Sequence, residues 1–442
     1  MNLIIRRGTH EIGGSCVEIT SGKSRIVLDL GVPLVSPGDK KARFEILSIR
    51  GKTPRQLLDE KILPQVPGLY ANVQDAPPPQ AVLISHAHQD HYGFLEYLNP
   101  EIPIYLGSKT EVLIEASSMF SHSNFNIRNF QRKPLKNKKP VQIGDFRVTP
   151  YLMDHSAFDA MAFLIEAEGK SIFYSGDFRA HGRKSKLFED LISHPPAPVD
   201  ALIMEGTTLG RSAEKFKTEQ EIEIDIIYLV KKYKGLKLVM VSGQNIDRIV
   251  GLYRAALQTK SHLVVDLYTA YVLDSLKVST LPHPASSWKN FRVLYTKPHA
   301  RKLLNSEHKE FLKKCNPFEI NFREIARSPG RFIVVYRETS KSKIELIKNF
   351  KDAVMIYSMY EGYKKDDSFK KVQAFLDKHE IALENAHTSG HASPADLNRL
   401  ALALNPRRLI PIHTCEPEGY NEFGSFVDVL KDNEVFEIPK RS

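Results

Sequence analysis

The sequence predicts a mixed α/β fold on a large buried sheet, with a second α/β lobe inserted into it. Three observations carry this. Short apolar runs bounded by Gly, Pro and Ser follow one another through the first part of the chain, as strands of a buried sheet do. Beyond Arg211 the pattern changes to a charged amphipathic helix and then to strand and helix in alternation. Histidine-rich segments of similar character lie on both sides of that stretch, so it reads as an insertion.

Taken in order, CVEIT, RIVLDLG and AVLISH read as successive strands. Pro77, Pro78 and Pro79 lead into the strand Ala81 to Ser85, and Pro195, Pro196 and Pro198 into Ala201 to Met204, so both enter from rigid extended backbone. Further strands read at RVTPYLM, MAFLIEA and SIFYSGD. Helical spacing predicts helices over Phe94 to Leu98, Glu111 to Phe120, and Ile246 to Leu257 after the strand KLVMVS. EKFKTEQEIEIDIIYLVKKYKG opens the lobe as an amphipathic helix, KLVMVSGQNIDRIVGLYRAAL and HLVVDLYTAYVLDSL continue it, and it closes near RFIVVYRETS or DAVMIYS. The expected division is therefore 1–211, an inserted lobe over 212–358, and a return to the first domain over 359–442.

A chain of 442 residues, 42% apolar and 26% charged, can bury a large core and fits two domains better than one. No run approaches the roughly 20 apolar residues of a membrane helix, and MNLIIRRGTH turns polar too early for a signal peptide, so neither membrane insertion nor export is expected. Three distant cysteines, Cys16, Cys315 and Cys415, argue against a disulfide framework and for a reducing cytoplasm. The formal charge is +10, and it is uneven: Ser212 to Tyr357 holds 26 basic and 15 acidic residues, while the remainder is near balance. Such a lobe is either a solvated lysine-rich surface or a wall for a polyanion.

The strongest local signal is Ser85-His86-Ala87-His88-Gln89-Asp90-His91, placed between an apolar strand and the helical run YGFLEYL. In a helix, His86 and His88 would splay by about 200°, but a strand-to-loop turn lets both imidazoles converge on one ion. Asp90 and His91 then open the helix and can serve a second ion. More ligands are needed, and three strand ends offer them: His155 in MDHSAFDA, Asp177 in FYSGDFR, whose carboxylate can bridge both ions, and His413 in LIPIHTC. A single histidine at a strand end is more often a hydrogen-bonded structural residue. The shared position after apolar strands is what groups these.

The order His-x-His-x-Asp-His, then DHS, then SGD, resembles the metallo-β-lactamase superfamily, and later features are similar to its β-CASP nucleases. MEGTTLGR supplies Glu205, TSGHAS supplies His391, PIHTC supplies His413, and the basic lobe occupies the place of the β-CASP insertion, with VSGQNIDRI near its start. The resemblance implies an αββα sandwich carrying an inserted α/β β-CASP domain. RGTHEIGGSCVEI with VLDLG looks like the first strands of ribonuclease J and its relatives, where Asp29 would organise the histidine loop. RNA-cutting members tend to carry His at the last motif and DNA-specific members an apolar residue, so His413 favours RNA. Gln89 departs from the smaller or apolar residue expected there, and no C-terminal domain of ribonuclease J type follows Ser442, which leaves a homodimer open.

The chemistry expected of this set is metal-dependent hydrolysis of RNA phosphodiesters. Two dications among five imidazoles and the carboxylates of Asp90 and Asp177 leave the site net positive, and they lower the pKa of water from 15.7 towards roughly 7 for in-line attack on phosphorus. Zinc suits such a ligand set, and manganese its oxygen-rich half. By resemblance and residue type, His391, poised by Glu205, is the general acid. His387, Ser389 and Gly390 offer an imidazole, a hydroxyl and a backbone N–H for a neighbouring phosphate, against the reading of HTSGH as a plain turn. The run RKPLKNKKP, residues 132–140, reads as a further basic loop or a solvated hairpin tip. Tyr268, Tyr271 and Tyr360 are candidates for stacking on bases, against the ordinary reading of such tyrosines as core. Rival readings are a DNA nuclease of the same fold, which His413 opposes, a small-molecule hydrolase, which has no use for a long basic wall, and a binding subunit that would lack ligands. Cleavage from an end and cleavage within the strand are both compatible with these motifs.

Overall fold

The computed structural model describes residues 1–36, 39–121, 125–211, 216–424 and 426–440. Two sheets face each other across the first domain. Seven strands form one, in the order Val435–Glu437, Asn2–Arg7, Cys16–Ser21, Ser24–Leu28, Ala81–Ile84, Ile104–Gly107 and Arg132–Leu135. Six form the other: Arg408–Ile412, Ala201–Glu205, Lys170–Tyr174, Met161–Ala167, Phe146–Leu152 and Val141–Ile143. Period-two alternation turns Leu3, Ile5, Val17 and Ile19 of the first sheet against Val148, Phe163, Ile165 and Ile203 of the second, in one buried core. The outer faces are apolar too and need cover. Helix Ser108–Phe120 covers the first through Leu113 and Ile114, and helices Ser185–Ser193 and Pro394–Leu404 cover the second through Phe188, Leu191, Leu397 and Leu400. The layers run helix, sheet, sheet, helix, the αββα sandwich expected.

The lobe is a seven-stranded parallel sheet in the order Glu319–Ile320, Phe291–Leu294, His262–Asp266, Phe332–Val335, Lys237–Met240, Val354–Tyr357 and Ala382–Asn385. Parallel strands are buried on both faces, which is why LVV, FIVV and VMIY run apolar without alternation. The sheet extends past the expected limit at 358. Helix Asp367–Lys378 and strand Ala382–Asn385 belong to it, and ALEN carries too little apolar character to read as a strand until Val354–Tyr357 lies beside it. The expected opening at Ser212 lies outside the described residues.

Three local expectations change. The helix expected over Phe94 to Leu98 is a single 3-10 turn, Leu95–Tyr97, and the helix after the histidine loop is one turn, Gln89–Tyr92. Residues 132–140 form no hairpin; they carry the chain from the first sheet to the second, with Lys138 in left-handed backbone (φ 56°) and paired to Asp190. Among the described residues no helix is long and apolar enough to cross a membrane.

Domain and lobe are joined by buried charge. Glu219, at the start of helix Glu219–Lys232, lies between two fully buried guanidinium groups: Arg179 donates to it at 3.0 Å, and Arg248 donates to both its oxygens at 3.0 Å. Arg179 also donates to Asp247 at 2.6 Å and to the Ser389 carbonyl at 3.2 Å, and Arg248 to the Ala386 carbonyl at 2.9 Å. Domain, lobe and returning chain meet there. Replacing Glu219 by Ala strands two buried cations and is expected to cost about 3–5 kcal/mol in urea unfolding. Arg147→Ala, which breaks the exposed pair with Glu166, is expected to cost about 1 kcal/mol or less.

Candidate metal centre

The site lies where strand ends of both sheets meet. Asp29 follows strand Ser24–Leu28 in left-handed backbone (φ 57°), a conformation non-glycine residues adopt at a cost. That turn buries its carboxylate completely and brings four donors to it: the Ser85 amide at 2.7 Å, the Ser85 hydroxyl at 2.8 Å, the Tyr174 hydroxyl at 2.7 Å and His91 Nδ1 at 2.8 Å. Ser85 and His91 bound the histidine turn and Tyr174 ends a strand of the opposite sheet. One carboxylate therefore fixes the turn and ties the sheets together. Because His91 gives its Nδ1 proton to Asp29, its Nε2 is the ring nitrogen that faces the site.

The predicted side chains converge here. His86, His88, His155 and Asp177 each present a ligand atom, all within 4.8 Å of one another; Asp90, His91 and His413 form a second such group, and Asp177, Glu205, His391 and His413 a third. Asp177 lies between them, with Oδ2 at 3.2 Å from His91 Nε2 and 3.7 Å from His86 Nε2, and Oδ1 at 3.9 Å from His413 Nδ1. His155 donates Nδ1–H to the Gly390 carbonyl at 2.6 Å, so its Nε2, 3.2 Å from His88 Nδ1, is left for the cluster. His413 (φ 55°) is a second left-handed residue, with Nδ1 at 2.9 Å from the Thr207 hydroxyl and Nε2 at 3.2 Å from Asp90.

The donor set fits a divalent metal on a physical test. His86 Nε2, His91 Nε2 and Asp177 Oδ2 are buried side-chain atoms without a hydrogen-bond partner, and they face one another. Buried polar atoms are rarely left so, since each orphan costs roughly 1–3 kcal/mol. Burial and neighbouring imidazoles push the His86 ring well below its usual range, and burial brings His88 down to about 4, so both keep a lone pair at neutral pH. Burial opposes ionisation of Asp177, yet the imidazoles of His413, His91 and His391 hold its carboxyl well below the usual range. Burial likewise opposes charge on His91, and the flanking carboxylates of Asp177 and Asp29 override it. The side chains call for positive charge between them.

Glu205 ends its strand inside the protein. It accepts from the Phe178 amide at 3.2 Å and the Thr207 amide at 3.1 Å, and both its oxygens lie 3.2 Å from His391 Nδ1. Burial would lower the His391 imidazole, but Glu205 and then Asp177 raise it to about 9. Its ring lies 5.4 Å from that of His155 and 5.7 Å from that of His413, centroid to centroid. The rest of HTSGH is largely committed to the fold. Ser389 Oγ accepts from the His391 amide and its carbonyl from Arg179; the Gly390 carbonyl holds His155; and burial lowers His387 to about 4. Among the tyrosines, Tyr271 is buried and Tyr268 packs against the core, whereas Tyr360 is exposed.

Sequence reading missed Thr207, which orients His413, and Arg179, which holds the Ser389 carbonyl one residue from Gly390. Thr207 had a signal, two residues beyond Glu205; Arg179 had none that separates it from a surface arginine. Asp29→Asn keeps the shape of the carboxylate but not its charge, and is expected to weaken zinc or manganese binding about 10- to 100-fold in a chelator competition. Tyr174→Phe removes one of four donors and is expected to weaken it less.

A family model described as beta-lactamase superfamily domain matches residues 57–229. Ribonuclease J of Helicobacter pylori strain J99 is 22% identical over 431 residues, covering 92% of this chain and 54% of that protein. Ribonuclease J of Sinorhizobium meliloti is 32% identical over 349 residues, covering 76% of this chain and 57% of that protein. The chain thus spans a little over half the length of these relatives. A crystal structure of a protein of unknown function from Enterococcus faecalis V583 superposes with a TM-score of 0.77 at 20% identity, over 98% of this chain and 99% of that one, which shows the shared fold. With the His-x-His-x-Asp-His turn, Asp177 between its groups, and a parallel lobe between Arg211 and His391, the chain has the metallo-β-lactamase αββα fold with an inserted α/β lobe and is similar to the β-CASP proteins of that superfamily.

Proposed function

We propose that this protein is a metal-dependent ribonuclease that hydrolyses RNA phosphodiester bonds with two divalent ions. The observation that carries the reading is Asp177, a buried carboxylate whose Oδ2 has no hydrogen-bond partner and which lies between the His86, His88, His155 group and the Asp90, His91, His413 group. Those seven residues would hold the ions, zinc by preference for so many imidazoles, with manganese as the second choice. When bound, the ions supply Lewis-acid charge for the phosphodiester and a water nucleophile of lowered pKa.

The chain's own residues do the rest. Glu205 holds His391 by Nδ1, which leaves Nε2–H to protonate the leaving sugar oxygen. Asp29 keeps His91 in one tautomer. The lobe, taken from 212 to Asn385 where its sheet ends, forms the basic wall along which a strand's phosphates lie, and RNA is favoured over DNA by His413. Free Cys16, Cys315 and Cys415 fit a reducing cytoplasm.

The test is incubation of purified protein with labelled 5′-monophosphate and 5′-triphosphate RNA and matched DNA. Cleavage of RNA in preference to DNA is expected; EDTA should abolish it, and zinc or manganese should restore it. Asp177→Ala and His88→Ala should lose activity together with bound metal, and equal activity in either variant defeats the reading. His391→Ala should keep the metal and lose about 10²- to 10⁴-fold in kcat. Affinity for RNA should fall steeply between 50 and 200 mM salt, with a log–log slope near −0.7 per phosphate contact.

A further inference from the structure

We infer that Tyr360 and Tyr363, backed by Arg211 and Arg43, form a stacking subsite for one unpaired nucleobase of the strand whose phosphodiester lies at the metal centre. The inference rests on the nuclease reading and adds to it where a base is gripped.

Most aromatic rings among the described residues are buried or packed on the core; these two are 46% and 39% exposed. They are also held in place. The segment leaves the lobe's sheet after Tyr357, whose hydroxyl donates to the Tyr360 carbonyl at 2.9 Å, and it ends at Asp366, paired to Arg43. Ser358 is fixed by the Ala386 carbonyl at 2.5 Å. Between these anchors, Tyr360 folds back over Gly362, where any Cβ would collide with its ring. The two rings meet edge to face, centroids 5.5 Å apart at 89°. The guanidinium of Arg211 lies 5.1 Å from the Tyr360 centroid and that of Arg43 5.5 Å from the Tyr363 centroid.

A short chain of contacts links the pair to the Asp90 side of the site. Arg43 closes a hairpin whose base is the Phe44 amide donating to the Leu34 carbonyl at 3.0 Å. Leu34 in turn packs over Gly13, where an added Cβ would lie 2.7 Å from Leu34 Cγ and 3.2 Å from the Cβ of Asp90. Exposed rings with cations beside them are what single-strand binders present: the ring takes any base face and the guanidinium takes the phosphate that accompanies it. A purely structural pair would gain nothing from exposure.

The experiment uses the full, metal-loaded protein and unpaired RNA oligonucleotides carrying one abasic ribose walked along the strand. At one position the missing base should raise KM about 5- to 150-fold. Tyr360→Ala or Tyr363→Ala should raise KM for the intact strand and erase the abasic penalty, while the Phe variants restore both. A 2-aminopurine at that position should be quenched on rapid mixing, before cleavage, by wild type and not by the Ala variants; metal content and melting temperature should match wild type. An abasic penalty that persists in the Ala variants overturns the subsite and leaves the nuclease reading standing. A change of oligomeric state in those variants without loss of quenching makes the pair a protein contact and also overturns it. Failure of wild type to cleave or bind any nucleic acid defeats both readings.

Discussion

The carboxylate of Asp29 is the constraint on which the rest of the site depends. It is wholly buried, in left-handed backbone, and accepts from Ser85 twice, from Tyr174 and from His91. Each hydrogen bond to a charged acceptor is worth roughly 1.5–3 kcal/mol, and a buried charge needs all of them to offset its desolvation. The geometry follows from that need. Satisfying Asp29 brings the start and end of the histidine turn together, sets the His91 tautomer, and locks one sheet's rim to the other's. Ligands from strands far apart in sequence can then share a space of a few ångströms.

A second buried ionic knot repeats the device between domain and lobe. Glu219 is held by Arg179, which immediately follows the segment bearing Asp177, and by Arg248 of the lobe, while both arginines also hold carbonyls of the chain running back to His391. The paired side chains of Glu205 and His391 are thereby positioned by three stretches of chain at once. The link from the lobe to the HTSGH loop thus runs through the hydrogen bonds of Arg179 and Arg248.

Legibility in the sequence followed the range of the interaction. Strands such as Met161–Ala167 and helices such as Ile246–Gln258 carry their own periodicity and were readable from it. The seven ligand candidates were readable because histidine and aspartate at strand ends are unusual, and the structure brings those residues within reach of one another. Strand Ala382–Asn385 was not readable, since its ladder comes from a neighbour and its composition is mixed. The helical pattern of Phe94 to Leu98 misled because Phe94 and Leu95 are buried by tertiary packing while the backbone closes only a 3-10 turn. Arg179 shows the deeper limit. Its role is defined by Glu219, Asp247 and Ser389, and no local pattern announces partners so distant.

His413 combines two demands that no single residue type meets in full. Its backbone, at φ 55°, suits glycine or asparagine, while the cluster requires an imidazole there. A substitution that relaxed the chain would stabilise the fold and empty that corner of the site; one that kept a ring must keep the strain. Thermal robustness and an intact cluster are opposed at this position, so a search for sturdier forms of the protein will find its easiest gain where it can least be accepted.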